Sequence, residues 1–242
     1  MIRTLWFLFH LMVGTVCFGT LAIVCGLLGV PNKPNGVYDW AARSWSRQML
    51  WASGVTVRIV GESNIPANTP VVYVSNHQSW FDIFLLAGRL AGQVRFVAKK
   101  ELTKVPIFGR ALRTTGHISI DRQDRKAAFS AYEEAAQAIR GGMSAVVFAE
   151  GTRSRTGELL PFKKGPFVLA IAAQVPVVPV YCAGTFDLLP KGKLRLRPHP
   201  IALLFGEPIS TEGMVYDDRE GLSSEARRRV VQLRVDSASV LG

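Results

Sequence analysis

Cysteine is scarce and scattered: there are three in 242 residues, Cys17 and Cys25 inside an apolar run and Cys182 in a strand-like one, with no C-x-x-C pair and no metal-type spacing. That excludes a disulfide-stapled scaffold and a structural zinc site, and reads the three as small buried apolar residues. Charge is also thin, at 19% of residues, and acids are the rarer sign: 18 Asp and Glu against 29 Lys and Arg, a formal net charge of +11. With 48% hydrophobic residues and a mean hydropathy of +0.19, the chain is not a disordered polyelectrolyte, because it has ample apolar area for a core. Nor is it composed like a freely soluble protein. No internal repeat and no long linker occurs, so one domain with a short appendage accounts for the length. Such a basic, apolar chain points to an anionic partner at a membrane or to nucleic acid. It carries no basic-aromatic nucleic-acid module, and nucleic acid is therefore not expected as a partner.

Residues 4–30 contain no Asp, Glu, Lys or Arg, and His10 alone interrupts the run. As a helix it would reach about 40 Å at 1.5 Å per residue, enough to cross a hydrocarbon core about 30 Å thick with some tilt. A secretory signal has a shorter apolar stretch and an A-x-A cleavage site, which is lacking here, so a retained anchor is expected. After the turn-rich Pro31-Asn32-Lys33-Pro34-Asn35-Gly36 comes a second helix over 37–52, with Tyr38, Ala41, Trp45, Met49 and Ala52 on one face. Trp40, Trp45 and Trp51 suit a bilayer interface, where an indole keeps its ring apolar and its N–H wet. Two arrangements fit: a spanning helix with an interfacial one, or a hairpin dipping into one leaflet. A second helix packed on the globular domain fits the same residues. If the run spans, the excess of Lys33, Arg43 and Arg47 over Arg3 and the terminal amine leaves the bulk of the protein on the cytoplasmic side of the inner membrane.

Beyond residue 55 strand and helix patterns alternate. Short β-rich runs lie at 71–74, 94–98, 118–120, 145–148, 177–181 and 201–205, and helical patterns at 81–90, 125–140, 164–173 and 224–235. Phe129, Tyr132, Ala136 and Ile139 form one stripe of the second of these helices. The strands read as apolar on both faces, which predicts an α/β fold: a single sheet covered by helices, residues 55–242, behind N-terminal membrane-associated helices, residues 1–54.

Three constellations carry chemistry. The first is Asn76-His77-Gln78-Ser79-Trp80-Phe81-Asp82, directly after a strand. Residues five apart in a regular helix are turned by about 140° from each other. His77 and Asp82 therefore meet only if His77 lies in the strand-to-helix turn and Asp82 in the first helical turn, where the dipole favours a carboxylate. They would then form a base with its orienting carboxylate, one ring nitrogen held and the other free to take a proton. A capping Asp beside a loop histidine would satisfy the same residues. No G-x-S-x-G elbow and no triad-like Ser or Cys is present, so acyl chemistry would run by direct attack of a substrate hydroxyl, with His77 removing its proton.

The second constellation, Phe148-Ala149-Glu150-Gly151-Thr152-Arg153-Ser154, leaves another strand end. Gly151 lets backbone approach an anion, Thr152 and Ser154 offer hydroxyls, and Arg153 can grip phosphate bidentately. Glu150 would repel phosphate and reads as a partner for an arginine or a substrate hydroxyl. A polar surface turn is the plain alternative. The third is the basic middle: from residue 89 to 126 there are ten Lys or Arg and three acids. Most of these cations read as a solvated face attracted to anionic lipid.

In this order and spacing, Asn76-His77 through Asp82, Lys99 with Glu101-Leu102, Gly116 to Arg122, Glu150-Gly151-Thr152-Arg153 and Val175-Pro176-Val177-Val178-Pro179 resemble the glycerolipid acyltransferases. The resemblance covers roughly residues 55–210 and is nearest to the bacterial 1-acyl-sn-glycerol-3-phosphate acyltransferases. It implies that His77 and Asp82 are catalytic, and that Lys99, Arg122, Glu150, Gly151, Thr152 and Arg153 help bind the acceptor. The implied reaction moves an acyl chain from acyl-CoA or acyl-ACP, the acyl carrier protein thioester, to the free sn-2 hydroxyl of lysophosphatidic acid at a membrane. No metal and no cofactor beyond that donor is needed, because a thiolate leaves readily. Acceptors such as glycerol 3-phosphate or a lyso-aminolipid fit the same motifs, and a non-catalytic anionic-lipid binder is the rival from another class. One departure stands out: Ala149 occupies the position before the Glu where the family commonly has Pro.

Overall fold

A computed structural model of the chain describes residues 1–121 and 125–242, the side chains of 125–129 excepted. Arg122 and the side chain of Phe129 therefore lie outside the described residues. Two helices come first, α1 (Ile2–Leu27) and α2 (Val37–Ser53), followed by strand β1 (Val57–Val60). Then follow β2 (Val72–Ser75), α3 (Phe81–Arg89), β3 (Val94–Lys99), α4 (Phe108–Thr114), β4 (Ile118–Ile120), α5 (Arg125–Arg140) and β5 (Ser144–Phe148). The chain ends with α6 (Gly165–Ala173), β6 (Val177–Ala183), the short α7 (Thr185–Leu188), β7 (Ile201–Phe205) and α8 (Arg219–Leu241).

The strands form one seven-stranded sheet in the order β1-β7-β6-β2-β5-β3-β4. Pairing is parallel throughout except between β6 and β7. The alternation of side chains sends Val72, Val74, Ala145 and Val147 to one face, against α5 and α6. It sends Tyr73, Val146, Val178 and Val180 to the other, against α2 and α3. Helices cover both faces, as the doubly apolar strands predict. Strand β1, a half-exposed four-residue edge, was not among the predicted runs, and α8 is longer than its predicted 224–235.

The N-terminal helices share this core. Phe7 of α1 and Met49, Leu50 and Ala52 of α2 join the cluster built on α3 and the sheet. Contact runs along the whole of α1: Thr4 Oγ1 accepts a hydrogen bond from Leu196 N at 3.2 Å, Gly14 faces Trp45 and Gln48 of α2, and Gly19 and Gly26 face Ile107 and Thr114 on the α4 side. The other side of α1 bares a stripe at helical stride, Leu5, Phe9, Met12 and Val16, joined by exposed Trp6 and Trp51. Trp40 and Trp51 are exposed as an interfacial role requires, but Trp45 packs edge-on against Phe84, 5.1 Å between ring centroids. Of the cysteines expected to be buried, Cys182 is; Cys17 is exposed and Cys25 half-buried, because both sit on the membrane-type helix.

Candidate active site

Strands β2, β5, β3 and β6 are neighbours with a common direction, so the loops leaving their C-terminal ends meet at one edge of the sheet. Motifs far apart in sequence converge there, in the usual place for ligands of open α/β sheets. The β2 loop contributes His77, the β5 loop Gly151 to Arg153, β3 its last residue Lys99, and the segment after β6 Thr185 and Lys191.

His77 lies in the turn between β2 and α3, and Asp82 in the first turn of α3. Nδ1 of His77 is 2.8 Å from Asp82 Oδ2. The same oxygen accepts the backbone N–H groups of Gln78 (2.6 Å) and Ser79 (2.8 Å), and Oδ1 accepts the Thr185 hydroxyl at 2.5 Å. Backbone amides can only donate, so Oδ2 is an acceptor and Nδ1 carries the proton in the bond between them. Nε2 is left with its lone pair, and among the described residues no protein group engages it. Asp82 is fully buried; it caps no N–H of α3, whose N-cap is Trp80, and its carboxylate instead holds the turn before the helix and orients the ring. Phe148, at the end of β5, stacks on the imidazole with centroids 3.9 Å apart and planes 11° from parallel. Ring tilt is thereby restricted as well as rotation.

Glu150 sits beneath this turn. Its Oε1 accepts the backbone N–H of His77 at 2.8 Å and its Oε2 that of Leu160 at 3.0 Å. It is 1% exposed and does not line the cavity; burial pushes its carboxyl up to about 7, against the pull of those two amides. The resemblance implied an acceptor ligand here, whereas the structure has Glu150 bracing the backbone of the His77 turn. Gly151 follows in the left-handed region at φ +70, a conformation open to Gly at little cost. Ser154 N then donates to the carbonyl of His77 at 2.8 Å, tying the two loops together.

The cavity beside His77 has a volume of about 320 Å³. Gly151, Thr152, Arg153, Lys99 and Lys191 line it together with His77. Much of the rest is apolar: Ala42 and Trp45 of α2, Ile83 and Ala87 of α3, and Phe108 and Leu112 of α4. Arg153 lies over the Trp80 ring, 5.5 Å from its centroid, within cation–π range. Partial burial lowers its pKa, opposed by the charge of Asp82. Lys99 pairs with Glu101 at 2.8 Å. A basic rim thus meets an apolar pocket at a histidine poised to take a proton.

The other histidines are engaged elsewhere. His117 accepts the N–H of Phe96 at 2.9 Å, and burial drives its pKa down to about 3, so it stays neutral. His199 contacts the carbonyls of Arg197 and Gly184, and His10 the amide of Gln48. Three residues of the site were not legible in the sequence: Thr185, Lys191 and the stacked role of Phe148. Thr185 is 103 positions from Asp82, and Lys191 is one lysine among many; neither belongs to a motif.

Residues 56–183 match the family profile described as Acyltransferase. A Cocos nucifera protein named 1-acyl-sn-glycerol-3-phosphate acyltransferase is 38% identical over 167 residues, covering 69% of this chain and 54% of that one. A Saccharomyces cerevisiae protein of the same name is 34% identical over 219 residues, covering 88% and 71%. The crystal structure of the 1-acyl-sn-glycerophosphate (LPA) acyltransferase PlsC from Thermotoga maritima has the same fold, with a TM-score of 0.78 at 30% identity, covering 96% of this chain and 95% of that chain. The chain spans 54% of the length of the coconut relative and 60% of two Limnanthes relatives.

Proposed function

The chain belongs to the acyltransferase family, and from that premise we propose that it transfers an acyl group from a soluble thioester, acyl-CoA or acyl-ACP, to the sn-2 hydroxyl of lysophosphatidic acid, giving phosphatidic acid. The observation that carries this reading is the free Nε2 of His77, backed by buried Asp82 and opening on a cavity that Arg153 and Lys99 also line. The hydroxyl gives its proton to Nε2 as its oxygen attacks the thioester carbonyl. Asp82 stabilises the imidazolium, and the tetrahedral adduct collapses with cleavage of the C–S bond. His77 returns the proton to the departing thiolate, so no covalent enzyme intermediate forms and the base is regenerated. Arg153 and Lys99 hold the acceptor's phosphate so that its hydroxyl faces His77, a contribution of orientation.

Attachment to a single leaflet fits the same geometry. If α1 crossed the bilayer, α2 and α4, which it touches along its length, would be drawn into hydrocarbon with Arg43, Arg47, Arg110 and Arg113; ionised side chains there are costly. With the stripe Leu5, Phe9, Met12 and Val16 facing lipid, α1 lies in the interface, and the cavity opens at the level where a lysolipid already resides. The soluble donor then arrives from the cytoplasmic side of the inner membrane.

The test is thiol release from the detergent-purified protein given lysophosphatidic acid and, separately, acyl-CoA and acyl-ACP, with mass spectrometry of the lipid. Thiol matched by phosphatidic acid, and reduced about 10²- to 10⁴-fold in His77→Ala, is the expected result. Release that persists in His77→Ala would refute the base assignment. Product from glycerol 3-phosphate or a lyso-aminolipid alone would move the proposal to that acceptor.

A further inference from the structure

Lys191 belongs to no motif, yet its ammonium reaches the cavity wall. It donates to Thr152 Oγ1 at 3.1 Å and to the carbonyl of Arg153 at 3.2 Å. Its loop is anchored from another side, because Ser79 Oγ in the His77 turn donates to the carbonyl of Leu189 at 2.8 Å. Three loops, bearing His77, Arg153 and Lys191, are therefore tied to one another around a single opening.

Among the described residues, the two lysines that line this cavity differ in what they face. Lys99 is ion-paired with Glu101, an acceptor that offsets its charge. Lys191 has only uncharged acceptors among the described residues, a hydroxyl and a carbonyl, and an ammonium has three N–H donors. One donor and an uncompensated positive charge remain beside the residue assigned to the phosphate. A phosphomonoester carries between one and two negative charges at neutral pH and presents three acceptor oxygens, more than one guanidinium can satisfy.

Resting on the reading of the site as one for a phosphorylated lysolipid, the geometry points to Lys191 as a second cation of the phosphate site, one that selects acceptors bearing a phosphomonoester over neutral monoacylglycerol. Arg153 supplies a planar fork and Lys191 a compact charge at the same opening. Lys191 also holds the Thr152–Arg153 backbone. A purely bracing role would depress every acceptor alike, whereas a phosphate contact acts only where there is phosphate.

The experiment compares Lys191→Met and Lys191→Arg with the unmodified full chain in detergent, using lysophosphatidic acid and the matching 1-acylglycerol as acceptors. In Lys191→Met the ratio of kcat/KM for lysophosphatidic acid to that for 1-acylglycerol falls about 10- to 100-fold, the worth of one hydrogen bond to a charged group, with the loss mainly in KM. Lys191→Arg recovers most of the ratio. An unchanged ratio, whether activity holds or falls equally for both acceptors, overturns the proposal. If the unmodified chain turns over neither acceptor, the proposed function fails and the inference is decided by binding, read from intrinsic tryptophan fluorescence, to which Trp45 and Trp80 of the cavity wall contribute. A preference for lysophosphatidic acid over 1-acylglycerol that is lost in Lys191→Met supports it, and equal preference in the two proteins overturns it.

Discussion

Glu150 holds the backbone of the His77 turn through a carboxyl whose pKa burial raises from an ordinary 4.5 to about 7. A raised carboxyl pKa means that the folded chain binds a proton which the unfolded chain has already lost between those two values. Stability therefore declines as pH climbs through that window, by up to about 3 kcal/mol at 1.36 kcal/mol per pH unit. Glu150→Gln has nothing to titrate there. The expected outcome is that the Tm advantage of the unmodified chain over Glu150→Gln, followed by thermal unfolding in detergent, shrinks between pH 5 and pH 8. At this same scale the motif residues were only partly legible. His77 and Asp82 announce themselves by spacing, since a five-residue separation works only across a strand-to-helix turn. Glu150 was legible as important but not in its role: whether a carboxylate faces a ligand or the backbone depends on where two loops cross, which local sequence does not encode. Thr185 and Lys191 were illegible for the same reason.

At the scale of elements, α1 is read correctly as a long apolar helix by composition, but composition says nothing about what lies along it. Glycines decide that. Gly14 brings α1 against α2: an added Cβ would lie 2.7 Å from Gln48 Oε1 and 3.1 Å from Trp45 Cδ1. Gln48 can swing away, but Trp45 is held between Phe84 and Phe108. Gly14→Val should therefore lower stability by about 1–3 kcal/mol, the usual cost of overpacking, visible as a reduced Tm in detergent. The predicted strands all formed, because continuous Val, Ile and Leu runs suit strands buried on both faces. Strand β1 escaped notice because only its pairing with β7 makes it one: Val57–Val60 alternates half-buried and exposed residues at the sheet edge, too short a signal to stand out.

For the whole molecule, one flank is built for lipid. Leu5, Phe9 and Met12 are 63%, 53% and 62% exposed although all are strongly apolar. Withdrawing three such side chains even halfway from water is worth about 3 kcal/mol. Replacing all three by Ser should weaken partitioning onto liposomes about 10²-fold, measured by sedimentation with vesicles. Because these contacts are apolar, the loss should persist at high salt, where attraction of the basic surface to anionic lipid is screened.

Sequence alone determined what depends on near neighbours: the apolar helix, the buried strands, the basic balance, and the histidine and carboxylate that a single turn brings together. The family resemblance rests on the same short-range patterns, kept in order along the chain. Tertiary structure decided what depends on strand order. Placing β6, β2, β5 and β3 side by side with their C-terminal ends together set Thr185 on Asp82, Phe148 on His77, Glu150 under the turn and Lys191 beside Arg153. Those pairings join residues tens of positions apart, and no periodicity within one segment records which strands will lie next to each other.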